Sequence, residues 1–375
     1  MKQCTRCHNI NQNGFFILNG HVLCRFCLSY ANRIQKKIEQ REISLKENDY
    51  GLSFELTINQ KKVSQKIADL VKHHSVLVEA VCGAGKTELV VQAIANALKE
   101  NRKVGWAIPR RQVVLQLKER LQSIFPTIKV IAVCEGFTEI VDGDLIVCTT
   151  HQLFRYENYF DLLVLDEPDA FPYKGDSMLE AFALNSVKGH IVSLTATPSK
   201  QQRLEVKNKQ VEHVTLYERP FKNRLPVPIK IISFNLYLYV WLYNYLKAAT
   251  YQTMIFVPTI KKAKKISRLF NLMCMTSKTE KKEEILQKFM EKKFMHIVCT
   301  TVLERGVTFS NIHVVVLNAN HVVFDKASLI QISGRVGRDK DYPSGKCYFL
   351  LSEQSWEVDQ CILEIEKANK YAFGV

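Results

Sequence analysis

One short segment restricts the possible folds of this chain more than any other, the glycine-rich stretch Ala80–Thr87. It follows an apolar run at 76–81 that predicts a β-strand. It precedes a predicted helix at 88–98, whose apolar residues fall on one helical face, at positions 89, 90, 93, 94, 97 and 98. A strand, a glycine-rich turn and a helix in this order predict a parallel α/β sheet with a phosphate-binding loop.

The residues of this loop suit the phosphates of a nucleotide. Gly83, Ala84 and Gly85 allow a sharp turn that aims backbone N–H groups at a phosphate. Lys86 supplies a positive charge for the β- and γ-phosphates, and the hydroxyl of Thr87 is a ligand for Mg²⁺. The alternative is a glycine-rich turn with an accidental Lys-Thr pair, but the flanking strand and helix favour a site for ATP and Mg²⁺.

Apolar strand patterns alternate with helical patterns on both sides of a proline-rich segment at 217–230. Further strands are predicted at 104–108, 130–133, 145–149, 162–165, 191–194, 254–257, 297–300, 314–317 and 347–351. With 375 residues and 47% hydrophobic residues, the chain is long enough for two α/β lobes and a small N-terminal module. The predicted boundaries are 1–48 for a cysteine-rich module with a connecting helix, 49–216 for lobe 1, 217–230 for a linker and 231–375 for lobe 2.

An acidic sequence, Asp166-Glu167-Pro168-Asp169, follows the predicted strand at 162–165. The carboxyl end of a parallel strand is where open α/β sheets bind ligands. We assign Asp166 to Mg²⁺ and Glu167 to activation of the attacking water. An ordinary turn or helix cap is the alternative, which the phosphate loop upstream makes less favourable.

A second set of charged residues lies near the C-terminus, where Gln331 precedes Gly334, Arg335, Gly337 and Arg338. Residues three apart share one face of a helix, so the two arginines are expected side by side. Arginine can hold a γ-phosphate and neutralise charge in the transition state. The sequence therefore predicts one nucleotide held between two lobes, with a solvated basic helix as the alternative.

Four cysteines near the N-terminus have the spacing of a metal site. The pairs Cys4-x-x-Cys7 and Cys24-x-x-Cys27 can bring four thiolates to one ion, as in a tetrahedral Zn²⁺ site. A redox pair or an iron–sulfur site is the alternative, and His8 and His21 are substitute ligands. The other seven cysteines are predicted to be reduced core thiols of a cytoplasmic protein.

Lysine and arginine total 52 against 37 aspartate and glutamate, a net charge of +15 that favours a polyanionic partner. Lysine clusters at 261–265 and 278–293 fit either DNA contact or a solvated helix face. The apolar stretch Leu236–Leu246 is predicted to be a buried helix, and no run is long enough for a membrane span. Core packing explains an aromatic stripe better than base stacking does: Phe234, Tyr237, Trp241 and Tyr245.

Taken together, these motifs resemble those of superfamily 2 helicases across about residues 55–345. The A-x-x-G-x-G-K-T loop, the DEPD sequence, Thr195-Ala-Thr197-Pro198 and Q-x-x-G-R-x-x-R are similar to the nucleotide motifs of that family. The resemblance implies two RecA-like lobes and gives catalytic roles to Gln331, Arg335 and Arg338. It implies that Gln60 recognises adenine. It also implies DNA contacts at three further positions, Arg110, Thr150 and Thr300.

Within that group, the stretches AVCGAGKTE, DEPDAFPY and TATPSK resemble the ComFA family of competence helicases, which also has a four-cysteine zinc site before the motor. The resemblance implies a translocase that uses ATP on single-stranded DNA and draws transforming DNA into the cytosol. It implies a ComFC-type protein and the membrane DNA-uptake channel as partners. It places the protein in the cytoplasm, with peripheral association at the inner face of the membrane as a further expectation.

Two other functions fit parts of the same sequence. A DNA-repair or RNA helicase of superfamily 2 would share the nucleotide chemistry and differ in the nucleic acid that stimulates it. A scaffold without enzymatic activity would use the nucleotide only for assembly. The combination of Lys86, the Asp166–Glu167 pair and two arginines disfavours that scaffold.

Overall fold

The structure is a computed structural model that describes residues 3–28, 30, 45–46, 49–301, 309 and 311–374. These residues form two compact units, Met1–Ala80 with Lys86–Leu216, and Val81–Gly85 with Tyr217–Val375. The connecting helix that the sequence predicts before residue 48 lies largely outside the described residues.

The N-terminal module is built around a short hairpin. Strand β1 (Phe15–Leu18) pairs antiparallel with β2 (His21–Cys24), so that Phe15 lies opposite Cys24. Asn19 and Gly20 both have positive φ, 49° and 77°, as a two-residue type I′ hairpin turn requires. A 3-10 turn at Gln12–Gly14 precedes the hairpin. The pairing brings Cys24 back toward the first Cys-x-x-Cys.

The first unit contains a seven-stranded parallel sheet. Its strands are β3 (Val76–Ala80), β4 (Val104–Ile108), β5 (Val130–Val133), β6 (Leu145–Thr149), β7 (Phe160–Asp166), β8 (Val187–Thr195) and β9 (Glu212–Leu216). The spatial order is β5-β6-β4-β7-β8-β3-β9, and every neighbouring pair is parallel. Strands β3, β4 and β6 are buried at every position, which is typical of a sheet covered on both faces.

The helices of this unit are α1 (Ile58–Leu70), α2 (Lys86–Leu89), α3 (Val91–Lys99), α4 (Arg111–Ile124), α5 (Ser177–Asn185) and α6 (Lys200–Lys207). Helix α1 begins with a capping box, in which the Thr57 side chain and Gln60 satisfy each other's backbone N–H groups. The predicted helix at 88–98 is divided at Val90 into α2 and α3. A 3-10 helix at Thr150–Arg155 follows β6.

The second unit contains a six-stranded parallel sheet of the order β10-β15-β14-β11-β13-β12. Its strands are β10 (Ile229–Ile232), β11 (Gln252–Phe256), β12 (Met273–Met275), β13 (His296–Cys299), β14 (Ile312–Leu317) and β15 (Cys347–Leu351). Its helices are α7 (Asn235–Ala248), α8 (Ile260–Phe270), α9 (Lys282–Met290), α10 (Lys326–Ser333) and α11 (Trp356–Phe373). The two sheets confirm the predicted α/β class, with two RecA-like parallel-sheet lobes.

The prediction that Leu236–Leu246 is a buried helix is wrong. Helix α7 does form there, but Leu236 is 70% exposed and Val240 is 49% exposed, while Leu238 and Leu242 are fully buried. A helix that covers one face of a sheet buries a single side, whatever the composition of the other side. The aromatic stripe divides in the same way, because Trp241 and Tyr245 pack against the core while Phe234 and Tyr237 are exposed.

All eleven cysteines lie within the described ranges, and none of them forms a disulfide. Of the seven outside the N-terminal pattern, six are buried and Cys274 is partly exposed. The predicted core thiols are therefore confirmed for six of the seven. Among the described residues, the helices are too short or too polar to cross a bilayer.

Candidate nucleotide and metal sites

The phosphate loop runs from the end of β3 at Ala80 to the start of α2 at Lys86. Gly83 and Gly85 have φ angles of 83° and 81°, a region in which side chains with a Cβ are strained. The Ala84 N–H donates to the Val81 carbonyl at 3.1 Å and closes a tight turn within the loop. Both glycines are thus required by the backbone path that the sequence predicts for a phosphate cradle.

Lys86 and the two carboxylates of the predicted site come together in the first unit. Asp166 ends strand β7 and Glu167 follows with a left-handed φ of 54°, its N–H bonded to the Leu194 carbonyl at 2.9 Å. Burial, together with the neighbouring Glu167 carboxylate, raises the pKa of Asp166 to about 7, and the nearby Lys86 ammonium opposes that rise. A cation placed beside Asp166 would therefore be favoured electrostatically.

Asp169 accepts hydrogen bonds from both threonines of the Thr195-Ala-Thr197-Pro198 motif. Thr195 Oγ1 donates to Asp169 Oδ1 at 2.7 Å, and Thr197 Oγ1 donates to Asp169 Oδ2 at 2.7 Å. The Thr197 N–H in turn donates to Thr195 Oγ1 at 2.9 Å. Both carboxylate oxygens are used, so the DEPD turn and the end of β8 form one hydrogen-bonded assembly.

Gln60 is buried at the start of α1, and its Oε1 accepts a hydrogen bond from the Thr57 N–H at 3.0 Å. A cavity of about 730 Å³ lies alongside this helix, within the size range of small-molecule sites. Its lining includes Tyr50, Phe54 and Leu56, and also Glu88, which directly follows the phosphate loop. The described residues that line the cavity do not include Gln60.

Glu88 directly follows the loop and is almost fully buried. Its carboxylate pairs with the Arg120 guanidinium of helix α4. Burial raises the pKa of Glu88, and the charge of Arg120 opposes that rise. The pair connects the first turn after the phosphate loop to α4.

The two predicted arginines do not share a helical face, which corrects that expectation. Helix α10 ends at Ser333, and residues 334–338, here called the arginine turn, form a turn in the second unit. Gly334 is the C-cap, and Gly337 has a φ of 66°, which directs the chain out of the helix. Arg335 and Gln331 are buried, and Arg338 Nε donates to the Gly334 carbonyl at 2.7 Å. The solvated basic helix is therefore excluded as an explanation.

Arg219 is a buried residue of the second unit that the sequence did not single out. Its guanidinium donates to the carbonyls of Gly334, Val336 and Gly337 at 3.0, 2.9 and 2.8 Å. Burial, together with the charge of Arg338, lowers the pKa of Arg219 to about 10. Arg219 thus fixes the backbone of the arginine turn. It lies in the proline-rich segment, whose irregular sequence pattern did not indicate a functional residue.

The four N-terminal cysteines converge on one point. All four sulfur atoms lie within 4.8 Å of one another, with Cys4 and Cys27 at 3.7 Å and Cys7 and Cys24 at 3.6 Å. A tetrahedral ion with Zn–S bonds of about 2.3 Å requires sulfur atoms about 3.8 Å apart. Burial raises the pKa of Cys7 to about 11, so a bound cation would be needed to hold this thiol as a thiolate at neutral pH. The residues therefore fit a single zinc ion.

The three predicted DNA-contact residues occupy different settings. Arg110 is the half-buried N-cap of α4, and Thr150 is fully buried at the start of the 3-10 helix. Thr300 is buried after strand β13 in the second unit. In the 3-10 helix that begins at Thr150, the side chain of His151 is exposed and those of Gln152 and Arg155 are half-buried.

Two family models match parts of the chain. Residues 53–200 match "Type III restriction enzyme, res subunit", and residues 237–340 match "Helicase conserved C-terminal domain". These ranges include the phosphate loop and DEPD in the first case and the arginine turn in the second.

Curated relatives match nearly the whole chain. The competence protein ComFA of Streptococcus pneumoniae is 34% identical, over 98% of this chain and 90% of the relative. The competence protein ComFA of Bacillus subtilis is 29% identical, over 100% of this chain and 87% of the relative. Among solved structures, Dbp5 of S. cerevisiae bound to RNA and ADP BeF3 has a TM-score of 0.62 and 17% identity, over 85% of this chain and 92% of that one.

Proposed function

Because the chain belongs to the ComFA family, we propose that it is an ATP-driven translocase on single-stranded DNA that helps draw transforming DNA into the cytosol during natural competence. The chain is an ATP-hydrolysing helicase by its family and its two helicase domains. One observation supports the proposed ATP-hydrolysis site: Lys86 lies beside Asp166, while Asp169 accepts hydrogen bonds from Thr195 and Thr197.

The proposed hydrolysis step uses the phosphate loop together with Asp166 and Glu167 as follows. The N–H groups of Gly83, Ala84 and Gly85 cradle the phosphates, and Lys86 neutralises the β- and γ-phosphates. Thr87 and Asp166 would hold Mg²⁺, which supplies charge neutralisation on the phosphate oxygens when bound. Glu167 orients the attacking water for in-line displacement. Gln60, near the 730 Å³ cavity, takes part in recognition of the adenine.

We further propose that residues of the arginine turn act in ATP hydrolysis. Arg335 and Arg338 stabilise negative charge that develops on the γ-phosphate, and Gln331 positions them. Arg219 keeps the turn in shape through its three carbonyl contacts. The functional boundaries we propose are 1–48 for the zinc module and connecting helix, 49–216 for lobe 1, 217–230 for the linker and 231–375 for lobe 2.

We propose that the surface that binds single-stranded DNA includes Arg110, Thr150 and Thr300. The net charge of +15 supports a polyanionic partner, since each neutralised phosphate releases counterions. Because Thr150 and Thr300 are buried, the backbone of their segments would make the contact, or the exposed neighbours of Thr150 would. We propose single-stranded DNA as the ligand, and we propose a ComFC-type protein and the membrane DNA-uptake channel as partners, as the resemblance implies.

Cytoplasmic location with peripheral attachment to the inner membrane face is part of the proposal, and α7 with α8 supports it. Helix α7 exposes Leu236 and Val240, and α8 exposes Lys264 and Lys265 beside it, with Lys265 Nζ 5.9 Å from the Tyr239 ring. Apolar side chains next to lysines suit an anionic lipid surface. Co-sedimentation with anionic vesicles but not with zwitterionic ones is the expected result.

The decisive experiment compares ATP turnover with single-stranded DNA, duplex DNA and RNA at matched salt. We expect single-stranded DNA to give the largest stimulation. Stimulation mainly by RNA, with duplex unwinding and no transformation defect on deletion, would instead identify a repair or RNA helicase. Salt must be fixed because the affinity of a protein for phosphates falls steeply as salt rises.

A further inference from the structure

We infer that Asn185 fixes the zinc module to the seven-stranded lobe of the first unit, and that the module positions the 3-10 segment Thr150–Arg155. The side chain of Asn185, the last residue of α5, donates to the carbonyls of Thr5 and Arg6 at 2.9 and 2.8 Å. These two carbonyls lie between Cys4 and Cys7, inside the first metal-binding turn. One amide group therefore connects the zinc site directly to the helix that follows the DEPD sequence.

An aromatic cluster makes a second connection between the same elements. The Tyr30 ring lies 4.6 Å from the Phe154 ring and 5.5 Å from the Phe182 ring. Phe154 belongs to the 3-10 segment and Phe182 belongs to α5, and their rings are 6.1 Å apart. The module is thus packed against the end of the segment that begins with Thr150.

The sulfur ligands themselves belong to this shared core. Cys7, Cys24 and Cys27 are buried in the same apolar cluster as Leu153 and Phe154. A zinc domain on a flexible linker would bury its cysteines in a small core of its own, away from the helicase lobe. Here α5 and the 3-10 segment complete the packing surface of the zinc module, so the order of each depends on the other.

The segment held in this way begins with Thr150, one of the proposed DNA-contact residues, and also carries Gln152 and Arg155. Arg155 Nε donates to Gln152 Oε1 at 2.6 Å, and its guanidinium lies 5.1 Å from the Phe154 ring. Movement of Phe154 would therefore also displace Arg155 and Gln152. In this role Asn185 and Tyr30 are positioning residues, and the zinc acts through them on the segment. The DNA-binding part of this inference rests on the proposed function, whereas the mechanical part does not.

The test uses Asn185→Asp in the full chain, because aspartate has the same size and loses both donors. Its carboxylate would face two carbonyl oxygens, so we expect faster hydrogen exchange, by about tenfold, in peptides that cover 150–155 and 177–185. Zinc content should stay at about one per chain. The dissociation constant for single-stranded DNA should rise, while ATP turnover without DNA should not change.

Two comparisons make the test specific. Asn208→Ala removes an exposed asparagine at the end of α6 and should leave exchange in both peptides unchanged. Removal of zinc from the unmodified chain with a chelator should reproduce the faster exchange at 150–155, and added Zn²⁺ should reverse it. Asn185→Ala, which lacks the added charge, should give a weaker form of the same pattern if Asn185→Asp does not fold.

The inference is overturned if Asn185→Asp and zinc removal both leave exchange at 150–155 as in the unmodified chain. It is also overturned if exchange rises uniformly across the first unit, since that result describes general destabilisation. Failure of the proposed function looks different: single-stranded DNA would not stimulate the unmodified chain, while the exchange pattern would still appear.

Discussion

Replacing Thr195 with valine removes one hydroxyl group from the segment that holds Asp169. The Thr195 side chain is fully buried at the end of β8, where its Oγ1 donates to Asp169 and accepts from the Thr197 N–H. Valine keeps the shape of threonine, so the change tests the hydrogen bonds and leaves the packing almost intact. After the substitution, Asp169 loses a donor and the Thr197 N–H loses its acceptor.

The expected loss of stability follows from these two contacts. A hydrogen bond to a charged group contributes about 1.5–3 kcal/mol, and the Thr197 N–H, which is only half-buried, adds a smaller amount. A total of about 2–4 kcal/mol should lower the melting temperature of the first unit by roughly 4–16 °C, since a unit of this size loses about 2–4 °C for each kcal/mol. Stimulation of ATP turnover by single-stranded DNA should also fall, because Asp169 connects the DEPD turn to β8.

Differential scanning calorimetry of the full chain measures the first effect. Thr215→Val is the matched control, because Thr215 lies on strand β9 of the same unit with its side chain exposed. The control should melt at the temperature of the unmodified protein. If Thr195→Val melted at that temperature too, the Asp169 contacts would contribute no stability, and the reasoning from the hydrogen bonds would be refuted.

Three further changes test other contacts. Arg120→Met leaves Glu88 buried beside an apolar side chain. Because burial already raises the pKa of Glu88, the variant should lose more stability at pH 8, where the carboxylate must be charged, than at pH 5. Equal losses of stability at the two pH values would contradict this. Cys27→Ser should lower bound zinc well below one per chain by elemental analysis, and an unchanged content would exclude Cys27 as a ligand. Arg219→Lys should accelerate hydrogen exchange in the arginine turn, because an ammonium cannot bridge three carbonyls as a planar guanidinium does. Unchanged exchange would show that Arg219 does not hold the backbone of this turn.

The sequence predicted six of the seven strands of the first sheet and missed β9, and the boundaries agree best for strands whose residues are mostly buried. Strands β4, β5 and β6 begin and end at the predicted residues, since continuous apolar runs between polar turns leave little choice of boundary. Shorter strands gave weaker signals. Strand β12 has three residues and lies at an edge of its sheet, and β10 begins at Ile229, inside the segment predicted as a linker.

The remaining differences depend on contacts between residues distant in sequence. The all-round apolar composition of α7 cannot show which side meets the sheet. Spacing predicted the sulfur ligands because two Cys-x-x-Cys turns can converge on an ion. Asn185 and Arg219 gave no comparable signal, since each acts through backbone carbonyls that any residue type provides. Sequence patterns therefore predict the groups that meet a ligand better than the groups that hold them in place.

The role of the phosphate loop in ATP hydrolysis is tested by measuring ATP turnover of Lys86→Ala in the presence of single-stranded DNA. Lys66→Ala is the matched control, because Lys66 is an exposed lysine on helix α1 of the same unit. We expect Lys86→Ala to lose turnover by about 100-fold or more with its fold intact, while the control hydrolyses ATP at the unmodified rate. Normal turnover by a folded Lys86→Ala variant would contradict the assignment of the phosphate loop and the mechanism built on it.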